Sequence, residues 1–479
     1  MRKLAYAVVL VGGAAAIAAP PKADESGPAP VWSFRVTPAG ESNPALRWRL
    51  LPELRDQHAG DAAATYLRAM SPEMIGSLQA EDLQKLFADS TYWPIAELRT
   101  DKAKRLRQAA SSRALTEADY AARCDSCDWH LHQRQREEGL SLLLPEMQSM
   151  RTLSRGLSAR TRIALADGDF SAASRSLQSQ FGAARHVGRD SSNLIQALIG
   201  VAIASSAARD VADWIESPGS PNLYWALSAM PKPFVSMRRG MEGERIFLDK
   251  IFPGHRDALQ NKTAPPPVDF HRVMAEINAM GGAPGAGSQG GVFDSLAGGL
   301  MIAAQAETAR KHLVAAGWKE STVKSLPATS AVILREIALY DEHLDAGLKW
   351  LALSPADAIA GLVAADAKFK KDVTASHGSI IAKLLLPAVH MAYYAEVRLD
   401  RQLAGLRGVE AIRMHAAATG KLPASAADIK VVPWPIDPLT GKPFELKQEG
   451  DSVSLEAAPP AGRTSAHSGF KFVVSLAKQ

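Results

Sequence analysis

The apolar residues of this chain recur every three to four positions from about Gly60 to Gly254, and that period decides its architecture. It is clearest in Leu144, Met147, Met150, Leu153 and Leu157, along a helix predicted over Leu142–Ala166. A helical period puts one apolar stripe on each element, so the body must bury helix against helix. Asp61 is placed to N-cap a helix over Ala62–Met70, and Ser71-Pro72-Glu73 starts another with Pro in its first turn. Thr116-Glu117-Ala118-Asp119 reads as a capping-box start into Tyr120–Arg136. Gly168-Asp169 breaks the chain before Phe170–His186, which predicts an αα-hairpin. Ser191–Ala208 carries no charge, but Asn193, Gln196, Ser205 and Ser206 interrupt it and charges bracket it, so a buried central helix is expected rather than a membrane span.

Helices follow near Phe293–Ala316, Ala328–Ala352 and Pro355–Lys371, the last capped by Ser354. A long one runs from about Leu384 to Thr419, kinked or started at Pro387, and stops at Gly420. Between the helical stretches, Lys262–Pro267 is Pro-rich and Gly281–Gly291 is low-complexity, with a short amphipathic helix at Asp269–Met280. The period changes to two at Val31–Val36 and Leu46–Leu50, and again at Phe444/Leu446, Val453/Leu455 and Phe470/Phe472/Val474/Leu476 after the turn Asp437–Gly441. The predicted fold is mainly α: an irregular multi-helix array of TPR-like hairpins, with small β elements at the N-terminus and a small C-terminal antiparallel sheet. The 479 residues divide into a signal peptide (1–18), a tether and short β element (19–58), a helical domain (59–260), a Pro/Gly-rich linker with one short helix (261–292), a second helical domain (293–420) and a β tail on the preceding helix (421–479).

Export is expected from the first residues. Arg2 and Lys3 precede the uncharged run Leu4–Ile17, and Ala16-Ile17-Ala18 fits a small-x-small cleavage pattern. The expected location is periplasmic or extracellular, with attachment through an uncleaved N-terminus as the lesser alternative. The formal charge of +5 falls to +3 without Arg2 and Lys3, which gives no warrant for nucleic acid as a partner. After cleavage no stable membrane span is expected, and the partners expected are other envelope proteins.

Only two cysteines are present, which excludes a disulfide-dense scaffold and any multi-cysteine metal domain. They stand together in Cys124-Asp125-Ser126-Cys127-Asp128-Trp129-His130-Leu131-His132. On a helix, Cys124, Cys127 and His130 would share a face, so thiolate and imidazole could converge on zinc. The alternatives are a local Cys124–Cys127 disulfide, free structural thiols and thiol redox chemistry. The residue after Cys127 is Asp128, which rules out the haem-attachment motif. Ser321-Thr322-Val323-Lys324 matches Ser-x-x-Lys without its companion motifs, and Ala286 stands where a nucleophile elbow around Ser288 needs glycine. Tyr340-Asp341-Glu342-His343 and the basic group Lys102, Lys104, Arg105, Arg107 and Arg113 read as solvated charge. No catalytic residue, metal ligand or cofactor is assigned.

Three resemblances accompany this reading. Ala164–Ala173 is similar to the helix–turn–helix of tetratricopeptide-like repeats, but no copy recurs at a fixed period. Gly408–Pro459, with Gly420-Lys421-Leu422-Pro423 and Asp437-Pro438-Leu439-Thr440-Gly441, resembles the C-terminal half of type II secretion pseudopilins, which implies a small antiparallel sheet against a helix. The processed pilin helix is missing, so polymerisation is not implied. Leu50–Leu54, Cys127-Asp128-Trp129, Ala166–Asp169, Pro221–Leu227 and Gly243-Glu244-Arg245 resemble a family of uncharacterised exported proteins typical of planctomycete-type bacteria, which implies no activity. Within that set, Asn222, Tyr224 and Trp225 form either a polar-aromatic binding patch or a helix start with inward aromatics. The function expected is that of a non-enzymatic exported scaffold or interaction protein of the cell envelope. The rival is a metal-binding or thiol-redox enzyme centred on Cys124, Cys127 and His130.

Overall fold

The computed structural model describes residues 29–138, 142, 144–268, 292–375, 378–459 and 469–477. The signal peptide, most of the tether, the helix expected at Asp269–Met280 and the Gly-rich stretch lie outside these residues. The described chain is mainly α, with small β elements at both ends.

The helices open with α1 (Ala62–Ala69), α2 (Pro72–Gln79) and α3 (Glu81–Ser90), then α4 (Lys104–Ala110), α5 (Arg113–Ala121) and α6 (Leu131–Glu138). Asp61 caps α1 by accepting the Ala63 N–H (3.0 Å). The centre of the body is three long antiparallel neighbours: α7 (Pro145–Asp167), α8 (Phe170–Gly188) and α9 (Leu194–Glu216). The expected hairpin joins the first two: Gly168 takes the left-handed conformation (φ 75°), and Asp169 caps α8 by accepting the Ala172 N–H (2.9 Å). Among the described residues α9 is the one helix long and apolar enough to cross a membrane; 78% of its most apolar stretch is buried inside the protein.

Beyond these lie α10 (Tyr224–Ser228), α11 (Arg238–Ile251) and α12 (His255–Asn261). They are followed by α13 (Val292–Ala315), α14 (Glu320–Ser325), α15 (Ala328–Leu348), α16 (Pro355–Thr374) and α17 (Ile380–Thr419). The last is longer than its expected start at Leu384 and runs continuously through Pro387. Its first turn is held from another helix: buried Glu336 of α15 accepts the Ile380 and Ile381 N–H groups (2.8 and 3.1 Å) and the Ser379 hydroxyl (2.8 Å). One contiguous apolar core runs from Phe34 to Val474, and a smaller one gathers Leu313, Trp318, Val323 and Leu334 around α13–α15.

The two ends of the chain share one sheet. Strand β1 (Val31–Val36) pairs in parallel with β6 (Phe470–Leu476), which pairs antiparallel with β5 (Ser452–Ala457), and β5 with β4 (Glu445–Glu449). The order is β1-β6-β5-β4, so the expected N-terminal β element completes the C-terminal sheet. Period two is visible in the buried set Val453, Leu455, Ala457, Phe470, Phe472 and Val474, and the rings of Phe470 and Phe472 pack beside Gly405 of α17. Buried Asp437 of the tail accepts two hydrogen bonds from Arg401 of α17 (2.9 and 2.8 Å), tying the tail to the helix.

One expected strand does not form. Leu46–Leu50 is a turn and bend, because α8 reaches its backbone first: the Arg49 carbonyl accepts from the Ser174 hydroxyl (3.1 Å) and the Gln178 amide (3.4 Å). Trp48 lies edge-on against Trp214 (5.4 Å) instead of taking a place in a sheet.

Candidate functional site

The cysteine cluster folds differently from its helical expectation. The helix predicted over Tyr120–Arg136 is replaced by α5, a short strand β3 (Cys124–Ser126), a loop and α6. Strand β3 pairs in parallel with β2 (His58–Asp61), an element the sequence did not suggest. The cause is local competition for backbone groups. The His58 N–H donates to the Arg123 carbonyl (2.8 Å) and the Gly60 N–H to the Asp125 carboxylate (3.0 Å). Asp61 accepts the Asp128 N–H (2.9 Å) while capping α1, and Asp128 accepts the His130 N–H (2.7 Å). The Arg123 carbonyl and the Asp128 and His130 N–H groups are ones that a helix would need.

Cys124, Cys127 and His130 therefore share no helix face. His130 takes a left-handed conformation (φ 52°), and its side chain is 71% exposed, 3.3 Å from Asp128. Cys124 is buried and Cys127 half-buried, and both are free thiols in this structure. Burial, and after it the carboxylates of Asp125 and Asp61, pushes the Cys124 thiol up. Burial together with Asp61 does the same to Cys127, more strongly. Both effects disfavour the thiolate, the form a nucleophile or metal ligand requires. Among the described residues no group of three or more His, Cys, Asp or Glu side chains is placed to hold a metal ion.

What fixes the loop is His186, near the end of α8. Its Nε2 lies 3.0 Å from the Cys124 carbonyl and its Nδ1 3.1 Å from the Tyr66 hydroxyl. A carbonyl can only accept, so Nε2 carries the proton and Nδ1 accepts from Tyr66. Burial pushes the His186 imidazole down to about 4, which keeps it neutral at physiological pH. The His186 carbonyl in turn accepts from the Trp129 indole N–H (2.9 Å), and the Trp129 ring stacks on Tyr66 (5.6 Å). Tyr66, Trp129 and His186 form one closed support behind the two thiols.

The front of this support is a cleft of about 930 Å³. Its lining brings Asp61, Asp125, Asp128 and Cys127 together with Arg185 of α8, Arg189 just after that helix and Arg239 of α11. Ser191, Ser192 and Gln196 also line it, and Gln196 accepts the Ser192 N–H (3.0 Å). Asp190 pairs with Arg239 and, at 3.9 Å, with Arg189. The sequence marked Cys127 and His130 but not His186 or the arginines. Those come from helices far along the chain, and no spacing rule joins them.

Other marked residues have structural roles. Asn222 is buried and donates to the Glu410 carboxylate (2.8 Å), and the Tyr224 hydroxyl donates to the Pro433 carbonyl (2.6 Å), so the pair holds α10 to α17 and the tail. Lys324 pairs with Glu320 (2.8 Å) on an exposed face, away from Ser321 chemistry. Asp341 binds Arg256 and lies 3.6 Å from Arg245, while Glu342 pairs with Lys368 (3.0 Å). In the basic group, Lys102 pairs with Glu97 (2.5 Å), Arg105 with Asp82 and Arg107 with Asp167 (2.7 Å), which cancels much of its charge. Ser288 lies outside the described residues.

No protein-family model matches this chain, and comparisons with curated proteins and with solved structures found no match.

Proposed function

We propose that the chain is a non-enzymatic exported protein of the cell envelope whose helical body is a binding scaffold and whose cleft is the binding surface. The observation that carries this reading is the state of the groups around the cleft. The thiols are held protonated, and the imidazole of His186 is neutral with both nitrogens engaged. Groups in these states shape and support a surface. Acid–base or nucleophilic work needs a thiolate or an imidazole with a free nitrogen. The rival reading, a thiol-redox or metal-dependent enzyme at Cys124, Cys127 and His130, requires the opposite states.

The test is made on the exported protein. N-terminal sequencing is expected to find Ala19 first. Alkylation of the native protein is expected to be far slower than that of the unfolded chain, and elemental analysis is expected to find no stoichiometric metal. Rapid alkylation near neutral pH, or one zinc per chain, would overturn the binding-scaffold reading in favour of its rival.

A further inference from the structure

The cleft is lined by charges of both signs, and that of Arg185 is unspent. Arg185 lines it half-buried, and among the described residues no carboxylate or carbonyl pairs with its guanidinium. Its nearest charged influence is Arg189, another cation. Arginines in protein interiors and clefts are normally paired, because a desolvated guanidinium without an acceptor is costly. Asp190 cannot serve, since it is already shared between Arg239 and Arg189. Ser191 lines the same cleft with 1% exposure, and its hydroxyl has no hydrogen-bond partner. The same cleft is also lined by aspartates. Asp61, Asp125 and Asp128 accept backbone N–H groups, and none of them faces a Lys or Arg partner among the described residues. A polyanion would meet those carboxylates and be repelled.

We infer that the cleft binds a small zwitterion of the amino-acid or short-peptide class, its carboxylate docked on Arg185 and its ammonium directed to Asp125 and Asp128. A guanidinium fork matches a carboxylate with two parallel hydrogen bonds, which a lysine at this place would not reproduce. The aspartates of the lining supply the complementary charge for the other end of the ligand. Trp129, Leu131 and Ile246 give the cleft an apolar portion against which small side chains can lie. The inference rests on the cleft being a binding surface and adds the chemistry of its ligand.

The probe is trialanine, titrated calorimetrically into the full mature chain beside its C-terminal amide and its N-acetyl form. Trialanine is expected to bind the wild type. Amidation should weaken it about tenfold or more, and acetylation should weaken it less. Arg185→Gln should weaken trialanine by the same factor as amidation, and leave the amide itself unchanged. Among the described residues the Arg185 side chain makes no hydrogen bond or ion pair, so circular dichroism and the thermal midpoint of this variant should match the wild type. Arg185→Lys should recover only part of the loss. The inference is overturned if trialanine does not bind at millimolar concentration, if the amide binds equally, or if Arg185→Gln binds as the wild type does. Recovery of intact trialanine after long incubation reports separately on the parent reading: cleavage to alanine and dialanine would overturn the non-enzymatic function while the variant still decides the role of Arg185.

Discussion

The Glu410 carboxylate and the Arg413 guanidinium, one helical turn apart on α17, meet at 2.9 Å in a fully buried position. Around them three distant segments converge. Glu410 accepts the Leu223 N–H (2.9 Å) and the Asn222 amide (2.8 Å), while Arg413 donates to the Ser220 carbonyl (2.8 Å) and the Thr37 carbonyl (3.0 Å). The residue that follows β1, the loop before α10 and the long helix are thereby fastened at one point. A buried ion pair adds little by itself, but removing one partner strands the other charge and the backbone groups it served.

Glu410→Ala is therefore expected to cost about 3–5 kcal/mol of unfolding free energy, read from urea denaturation of the protein. Glu410→Gln keeps an acceptor for the Leu223 N–H and should cost less. The double variant Glu410→Leu/Arg413→Met should not regain wild-type stability, because the Ser220 and Thr37 carbonyls and the Leu223 N–H would remain unpaired. Full recovery in the double variant would show that the pair fastens nothing.

Close approach of backbones gives a second test at the cleft. A Cβ built on Gly243 of α11 would lie 1.7 Å from the Ser192 carbonyl oxygen, and the Gly243 carbonyl accepts from buried Gln135 (2.8 Å). The obstacle is main chain, so no rotamer change relieves it. Gly243→Ala is expected to separate α11 from the start of α9 and to lower the thermal midpoint by several degrees. It should also abolish any ligand binding at the cleft. An unchanged midpoint would mean that these helices slide freely past one another.

The helices were legible because their determinants are local: the Asp61 and Asp169 caps, the Gly168 turn and the stripe Met147–Met150–Leu153–Leu157 are all satisfied within a few residues of where they are read. The C-terminal strands were legible for the same reason, since alternation needs only near neighbours. What could not be read was pairing at long range. Val31–Val36 announces a strand but not that Lys471–Leu476 lies beside it. The cysteine cluster misled the reading most. Its residues favour helix until Gly60 and Asp61, over sixty residues earlier, take Asp125, Ser126 and the Asp128 N–H for themselves. The cleft suffers the same blindness, because Arg185, His186 and Arg239 gain meaning only when α8, α11 and the β2–β3 ribbon are assembled.

Buried carboxylates give the protein an unusual pH dependence. Burial raises Asp210, Glu244 and Asp400 to about 7 and Glu396 to about 8, each from an ordinary carboxylate value. The folded state then binds more protons than the unfolded chain, so stability from these groups is fully present at low pH and lost as pH rises through 7 and 8. His186, depressed to about 4, acts oppositely but only below the ordinary histidine value. Between about pH 6.5 and about pH 8.5 the carboxylates dominate, and the urea midpoint should fall as pH rises. Asp210→Asn keeps hydrogen-bonding capacity toward Ser158 and Gln180 and should flatten part of that slope. A midpoint that climbs over this interval would show that these groups are already ionised at the lower pH.

The support behind the thiols yields the last expectation. The His186 ring joins Tyr66 of α1 to the Cys124 carbonyl of β3, so it links the first helix, the third strand and α8 through one side chain. His186→Ala would leave a buried carbonyl and a buried hydroxyl without partners, each costing about 1–3 kcal/mol. The larger effect should be local. With the ring gone, the Cys124 end of the Cys124–Trp129 segment loses its side-chain tie to α8 while the Trp129 indole keeps its bond to the main-chain carbonyl of residue 186, and the Cys127 thiol is expected to alkylate many-fold faster while the far-ultraviolet dichroism is preserved. His186→Gln, which can present one donor to the Cys124 carbonyl, should slow alkylation back toward the wild-type rate. If His186→Ala leaves Cys127 as protected as before, the loop is held by the Asp61, Asp125 and Trp129 bonds, and the imidazole is packing rather than a latch.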